Sequence, residues 1–244
     1  IFLGKSSDTY SLLNSVEELK NNEVKGSKTY TVLEDSIADS LEEFERDPEF
    51  IFPTQIRDYV PGIDRQNLGV IFARPEIGKT SFSAWLSGWY VRNKFHVAYW
   101  GNEEPVKKTR MRVAKSITER SRLEVLQDKD GFIQEYQDNI LPYISFMDCV
   151  GTSIQEIEDY CSRNDVDVIF IDQLDKIRID GEFSRGDERL KELYCRSREL
   201  AKRHNVAVWA VSQASYDAHG RESIDYSMLD GSKTGKAGEA DIIV

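Results

Sequence analysis

Ten residues at 72–81, FARPEIGKTS, set a glycine, a lysine and two hydroxyls at the spacing that binds phosphate. In the pattern G-x-x-x-x-G-K-[ST], backbone N–H groups wrap the phosphate oxygens at a helix N-terminus. The lysine reaches the β and γ oxygens, and the hydroxyl after it holds Mg²⁺. Gly78, Lys79 and Thr80 keep three of the four fixed positions, and Ala73 occupies the first. Alanine serves there if its φ is negative, because glycine is indispensable only where φ is positive or a ligand would strike Cβ. Gly78 is not expected to be replaceable. Ala73, Arg74, Pro75, Glu76, Ile77, Gly78, Lys79, Thr80 and Ser81 are thus assigned to nucleotide phosphate, with Thr80 also a metal ligand. Glu76 is the odd member, since a carboxylate facing a triphosphate repels it, and its side chain is expected to point outward.

Further stretches could complete such a site. In VIFIDQLD (168–175), Asp172 ends an apolar run, where a carboxylate can organise the Mg²⁺ shell at the edge on which parallel sheets bind ligands. Asp175 is a less favoured substitute. In AYWGNEEP, Glu103 and Glu104 follow another apolar run. Either is placed to act as the general base that orients an attacking water, or both simply favour the helix N-terminus that Pro105 opens. Gln213 follows AVWAVS and reads either as a sensor of the γ-phosphate or as a hydrogen-bonded surface amide.

The elements that must position these residues follow from the apolar pattern. Short, near-continuous apolar runs predict strands over 68–73, 96–101, 143–148, 167–172, 206–212 and 241–244, with helices near 79–94, 105–120, 153–163 and 186–204. That alternation implies an α/β domain with a mostly parallel sheet. Residues 1–60 differ: 6 basic against 13 acidic residues make them the acidic part of the chain. Thr31 and Glu34 form a capping-box pattern, and Leu33, Ile37, Leu41 and Phe44 follow at helical spacing, so 32–46 is expected to be one amphipathic helix. Ser15 and Glu18 repeat the box. The turn-rich DPEFIFP and VPG place a domain boundary near residue 60.

Composition narrows the class. The net charge is −11, so the field of the whole surface does not draw nucleic acid, although a local basic channel is compatible with it. No apolar run reaches membrane-spanning length, and the opening IFLGKSSDTY lacks the pattern of a signal peptide. A start at Ile1 reads as a fragment or a processed product. Cys149, Cys161 and Cys195 lack paired C-x-x-C spacing and read as reduced thiols, and His96, His204 and His219 are scattered. The most basic segment, 106–122, holds 7 basic residues and one glutamate; a phosphate, a neighbouring subunit, DNA or plain solvent would each suit it.

Taken in order, ARPEIGKT, WGNEEP, DVIFIDQLDKI, ELAKRHNVAVWAVSQ and GEADIIV resemble the motor domain of DnaB-type replicative helicases and phage primase-helicases over roughly residues 60–244. The resemblance implies a RecA-like P-loop NTPase domain over 61–244, preceded by a helical linker, that uses ATP or another NTP with Mg²⁺. It assigns phosphate and metal binding to Lys79 and Thr80, the catalytic glutamate to Glu103, the second metal-organising acid to Asp172 and the sensor to Gln213. It further implies a homohexameric ring that moves on single-stranded DNA at a replication fork, with a primase or helicase loader as partner and the bacterial host cytoplasm as the setting if phage-encoded. The linker helix over 32–46 would then pack on the adjacent subunit. DNA contacts are expected from the loops 178–189 and 229–239, through Lys233, Lys236 and Arg185. The family's arginine finger would lie beyond Val244. A RecA-like ATPase without unwinding, or a degenerate DNA-binding module, are the alternatives.

Overall fold

A computed structural model describes residues 41, 42, 45–101, 104–215, 218, 224–231 and 233–244. The chain divides into two compact units, Ile1–Arg46 and Asp47–Val244. In the first, Leu41, Glu42 and Glu45 are helical and the Arg46 N–H donates to the Glu42 carbonyl at 3.2 Å. The rest of the helix expected over 32–46, and both capping boxes, lie outside the described residues.

The second unit opens on a hairpin of β1 (Phe50–Ile51) and β2 (Gly62–Ile63), with the short helix α1 (Thr54–Arg57) between them. Phe50, Phe52 and Ile63 are buried, and Trp89 donates its indole N–H to the Ile51 carbonyl at 2.9 Å. Residues 47–60, ahead of the boundary expected near 60, therefore pack within the same unit. Next come β3 (Leu68–Ala73), α2 (Lys79–Arg92), β4 (Val97–Gly101), α3 (Val106–Thr118), α4 (Arg122–Gln127), α5 (Lys129–Asn139) and β5 (Ile144–Asp148). The chain continues through α6 (Ile154–Cys161), β6 (Val168–Ile171), α7 (Gly186–His204), β7 (Ala207–Gln213), α8 (Lys233–Glu239) and β8 (Ile242–Ile243).

Among the described residues six strands form one parallel sheet in the order β5-β4-β6-β7-β3-β8. Alternate side chains of its inner strands feed two cores, as the period of two requires. Val70, Ala98, Ile169 and Val208 face one side with Ile157, Leu193 and Leu200 from α6 and α7. Ile71, Tyr99, Phe170 and Trp209 face the other with Leu86, Tyr90 and Val113 from α2 and α3. Tyr99 stacks on Phe170 at 5.7 Å, and Phe170 on Trp209 at 6.4 Å, so one ladder of rings crosses β4, β6 and β7.

Two stretches differ from the sequence expectation. Residues 122–139 form α4 and α5, each started by a side-chain cap: Ser121 in a capping box with Glu124, and Asp128 accepting from the Gly131 N–H. Of the segment 229–239, expected to be a loop, Lys233–Glu239 is the helix α8. Among the described residues no helix is long and apolar enough to cross a membrane.

Candidate nucleotide-binding site

The phosphate loop runs from the C-terminal end of β3 to the first turn of α2. Ala73, the last residue of β3, keeps extended backbone, so the methyl group at this position needs no glycine. Gly78 caps α2 with φ 105°, and no atom lies within 4 Å of where a Cβ would stand; conformation, not crowding, demands glycine there. Glu76 also takes a left-handed conformation, φ 63°, and its exposed side chain stands on the rim of the cavity. That cavity, of about 270 Å³, is lined by Glu76, Gly78, Lys79, Thr80, Ser81, Glu104 and Arg112.

Lys79 is buried, and its ammonium donates to the carbonyl oxygens of Ala73 at 3.2 Å and Arg74 at 3.0 Å. Thr80 donates its hydroxyl to Asp172 Oδ2 at 3.2 Å, across 92 residues of sequence. Asp172 follows β6 directly and is 1% exposed, held by its own N–H donating to the Trp100 carbonyl at 2.9 Å. One strand, β7, separates the strand of the loop from the strand of Asp172. Lys79, Thr80 and Asp172 thus meet, a cation beside a hydroxyl and a carboxylate, which is the donor set for a phosphate and a hard divalent cation. Beneath them Tyr99 shares a 2.7 Å hydrogen bond with Ser83; burial, then the charge of Asp172, push its phenol well above the usual range.

Glu103 lies outside the described residues. Glu104 receives Arg112 in bidentate fashion, Nε to Oε1 at 2.8 Å and Nη2 to Oε2 at 3.1 Å, and Arg112 also donates to Ser81 Oγ at 3.0 Å. The Thr109 hydroxyl reaches the same carboxylate at 3.3 Å. The hydrogen bonds to Glu104 raise the Arg112 guanidinium above its ordinary value. This clamp fastens α3 to the first turn of α2 beside the phosphate loop, and sequence reasoning missed it. A signal existed: Arg112 lies in the basic segment about two helical turns beyond Glu104.

Gln213 ends β7 in register with Ala73, one strand from the mouth of the loop. It lines a separate polar cavity of about 180 Å³ with Gln173, Asp175, Lys176, Ser212 and Asp230. The DNA-contact expectation needs correction at Lys236. This residue is 0% exposed, and its ammonium donates to Asp175 Oδ2 at 2.6 Å and Ser212 Oγ at 2.9 Å. Burial lowers its pKa, and the charge of Asp175 opposes that shift. An ammonium enclosed in this way does not present itself to a DNA backbone. Asp175, the less favoured metal ligand, is instead its counterion. Arg185 is exposed and paired with Asp187 at 2.8 Å, while Lys233 stands in the first turn of α8.

A parallel sheet whose phosphate loop faces a buried carboxylate across one intervening strand has the RecA-like P-loop fold. The family model for the DnaB-like helicase C-terminal domain matches residues 53–243, and the chain belongs to that family. The fold is shared with a solved ATPase domain, with a TM-score of 0.70 at 19% identity over 98% of this chain and 83% of that one. It is shared also with a DnaB-like replicative helicase solved for its interactions with primase, with a TM-score of 0.72 at 20% identity over 95% of this chain. The chain spans 59% of the length of that second protein. No curated protein sequence matches it.

Proposed function

We propose that the chain is the motor of a ring-forming, phage-encoded replicative helicase, which hydrolyses nucleoside triphosphate with Mg²⁺ to move along single-stranded DNA and separate duplex ahead of it. The carrying observation is the Thr80–Asp172 hydrogen bond beside the buried Lys79 ammonium, in a chain of the DnaB-like family. The residues suit the nucleotide. Lys79 already satisfies its charge on two carbonyl oxygens of the loop and can exchange them for phosphate oxygens, while Gly78 leaves the backbone open to close approach. Thr80 and Asp172 would hold Mg²⁺, directly or through its water, and the ion supplies neutralisation of charge on the phosphate oxygens. Arg112 ties Glu104 to Ser81 in the first turn of α2, and Glu103, the residue before Glu104 in sequence, serves as the base that orients water. Gln213 reads the state of the phosphate from the adjoining strand end.

Because such a motor grips the strand by its backbone, hydrolysis should depend on DNA and not on its sequence. The test is triphosphate turnover by the full chain, with and without single-stranded oligonucleotide. Turnover is expected to rise with DNA and to vanish in Lys79→Ala under both conditions. Equal rates with and without DNA would leave an ATPase that does not unwind, and turnover at background throughout would leave a binding module.

A further inference from the structure

Four elements meet at one buried point behind the phosphate site. Lys236 of α8 reaches Asp175, on the single 3₁₀ turn 174–176 that follows β6, and Ser212 on β7. Ser212 donates to the same carboxylate oxygen at 2.9 Å, and Tyr194 of α7 donates its hydroxyl to Asp175 Oδ1 at 3.1 Å. The Lys236 ammonium lies 5.3 Å from the centre of the Tyr194 ring, so its remaining surface is covered by an aromatic face. Arg189 adds donations to the carbonyls of Asp175 and Ile177, at 2.6 and 3.1 Å.

The cluster sits close in sequence to two residues of the candidate site. Asp175 lies three residues beyond Asp172, and Ser212 precedes Gln213, so the cluster touches the chain directly behind both site residues. From Gln213 the link continues outward: the Asp230 N–H donates to the Gln213 carbonyl at 3.1 Å, and Ala214 pairs with Leu229 just ahead of α8. Between Asp172 and Asp175 the backbone is strained, since Gln173 holds φ 60° and ψ 60° without being glycine. Its Oε1 is buried without a hydrogen-bond partner, and the residue lines the polar cavity that Gln213 and Asp230 also line. The turn is thus both strained and incompletely satisfied, and the Lys236–Asp175 ion pair ties it to a helix.

We propose that the buried Lys236–Asp175 pair is the link by which the turn after Asp172 and the segment 229–239 move as one, making both residues positioning residues for DNA-stimulated hydrolysis. This rests on the function proposed above, and it gives Lys236 a role in the response to DNA without any contact to DNA. The ion pair fixes where α8 stands relative to β6 and β7, so DNA engaged by the segment ahead of α8 shifts the turn 174–176 that follows Asp172.

The test compares the full wild-type chain with Lys236→Met, Asp175→Asn and the double variant, reading hydrolysis with and without oligo-dT alongside the thermal midpoint. Each single variant leaves one charge without its partner and is expected to lower both stability and DNA stimulation. The double variant removes both charges, while asparagine still accepts from the Tyr194 hydroxyl through its oxygen and donates to the Ser212 hydroxyl through its nitrogen, so it should recover stability. Its stimulation is expected to stay about 10-fold below wild type, within the usual range of coupling between sites, with the DNA-free rate within about 3-fold. Stimulation that returns together with stability would make the pair purely structural and overturn the inference. So would single variants stimulated like the wild type. A wild-type chain without stimulation would overturn the function on which the inference rests.

Discussion

At the scale of single residues, two backbone and burial effects lead to measurements. Gly78 holds φ 105°, which an L side chain adopts only under strain. Gly78→Ala should therefore cost about 1–2 kcal/mol of stability even before a ligand is considered. Fluorescent nucleotide binding should fall with it, while Ala73→Gly leaves binding unchanged because that φ is not positive. Cys149 and Cys161 are buried, and burial pushes both thiols up to about 12. Unfolded, a thiol ionises near pH 8.5; between there and 12 the unfolded chain loses a proton that the folded chain keeps, so stability falls as pH rises. Urea unfolding at pH 8 and pH 10 should register about 2 kcal/mol of loss per buried thiol. Buried tyrosines add to that slope, so the comparison is with Cys149→Ala/Cys161→Ala. Identical slopes in the two proteins would refute the assignment.

At the scale of elements, legibility in the sequence followed burial. Strands such as VIFI (168–171) are buried on both faces and read as continuous apolar runs, and α7 carries enough periodic apolar residues to be read at its observed bounds of 186–204. The helices α4 and α5 were not read as such. They are short, share Asp128 as the end of one and the cap of the next, and bury little beyond Val125 and Phe132. For α8 the local signal pointed the other way, since Gly235 and Gly238 lie inside it and LDGS precedes it. Tertiary contacts hold it, and the buried ion pair of Lys236 is one of them. Lys236→Met should cost about 1–3 kcal/mol, because it leaves the Asp175 carboxylate, 24% exposed and still accepting from Ser212 and Tyr194, without its cation. Chemical denaturation measures this, and a loss below about 1 kcal/mol would mean that water replaces the ammonium. Types and spacing single out Lys79, Thr80 and Asp172, residues that the fold brings together. Spacing is silent where residues 61 apart meet only through topology, as Asp175 and Lys236 do.

At the scale of the whole molecule, a ring needs surfaces that one copy alone leaves uncovered. An apolar groove of about 360 Å³ lies between α3 and α5, lined by Met111, Phe132, Ile133 and Leu141 among others. Ile133 and Leu141 are each 52% exposed there, apolar surface that a neighbouring copy would cover in a ring. On the ring assembly proposed above, Ile133→Asp is expected to shift the protein to smaller species in particle images and light scattering while leaving its thermal midpoint within a few degrees. Rings that persist unchanged would remove this groove from the assembly.

The stacked rings of Tyr99, Phe170 and Trp209 bear on how such a motor could work. Together with the backbone ladder they join the three strands whose ends lead in sequence to Glu103, Asp172 and Gln213, so the spacing between those strands is built into the fold. On the function proposed above, the sheet is expected to act as a stator. Any stroke must be generated in the turns beyond it, and a fluorophore on the ring ladder should stay silent through a cycle that one on residues 174–176 reports.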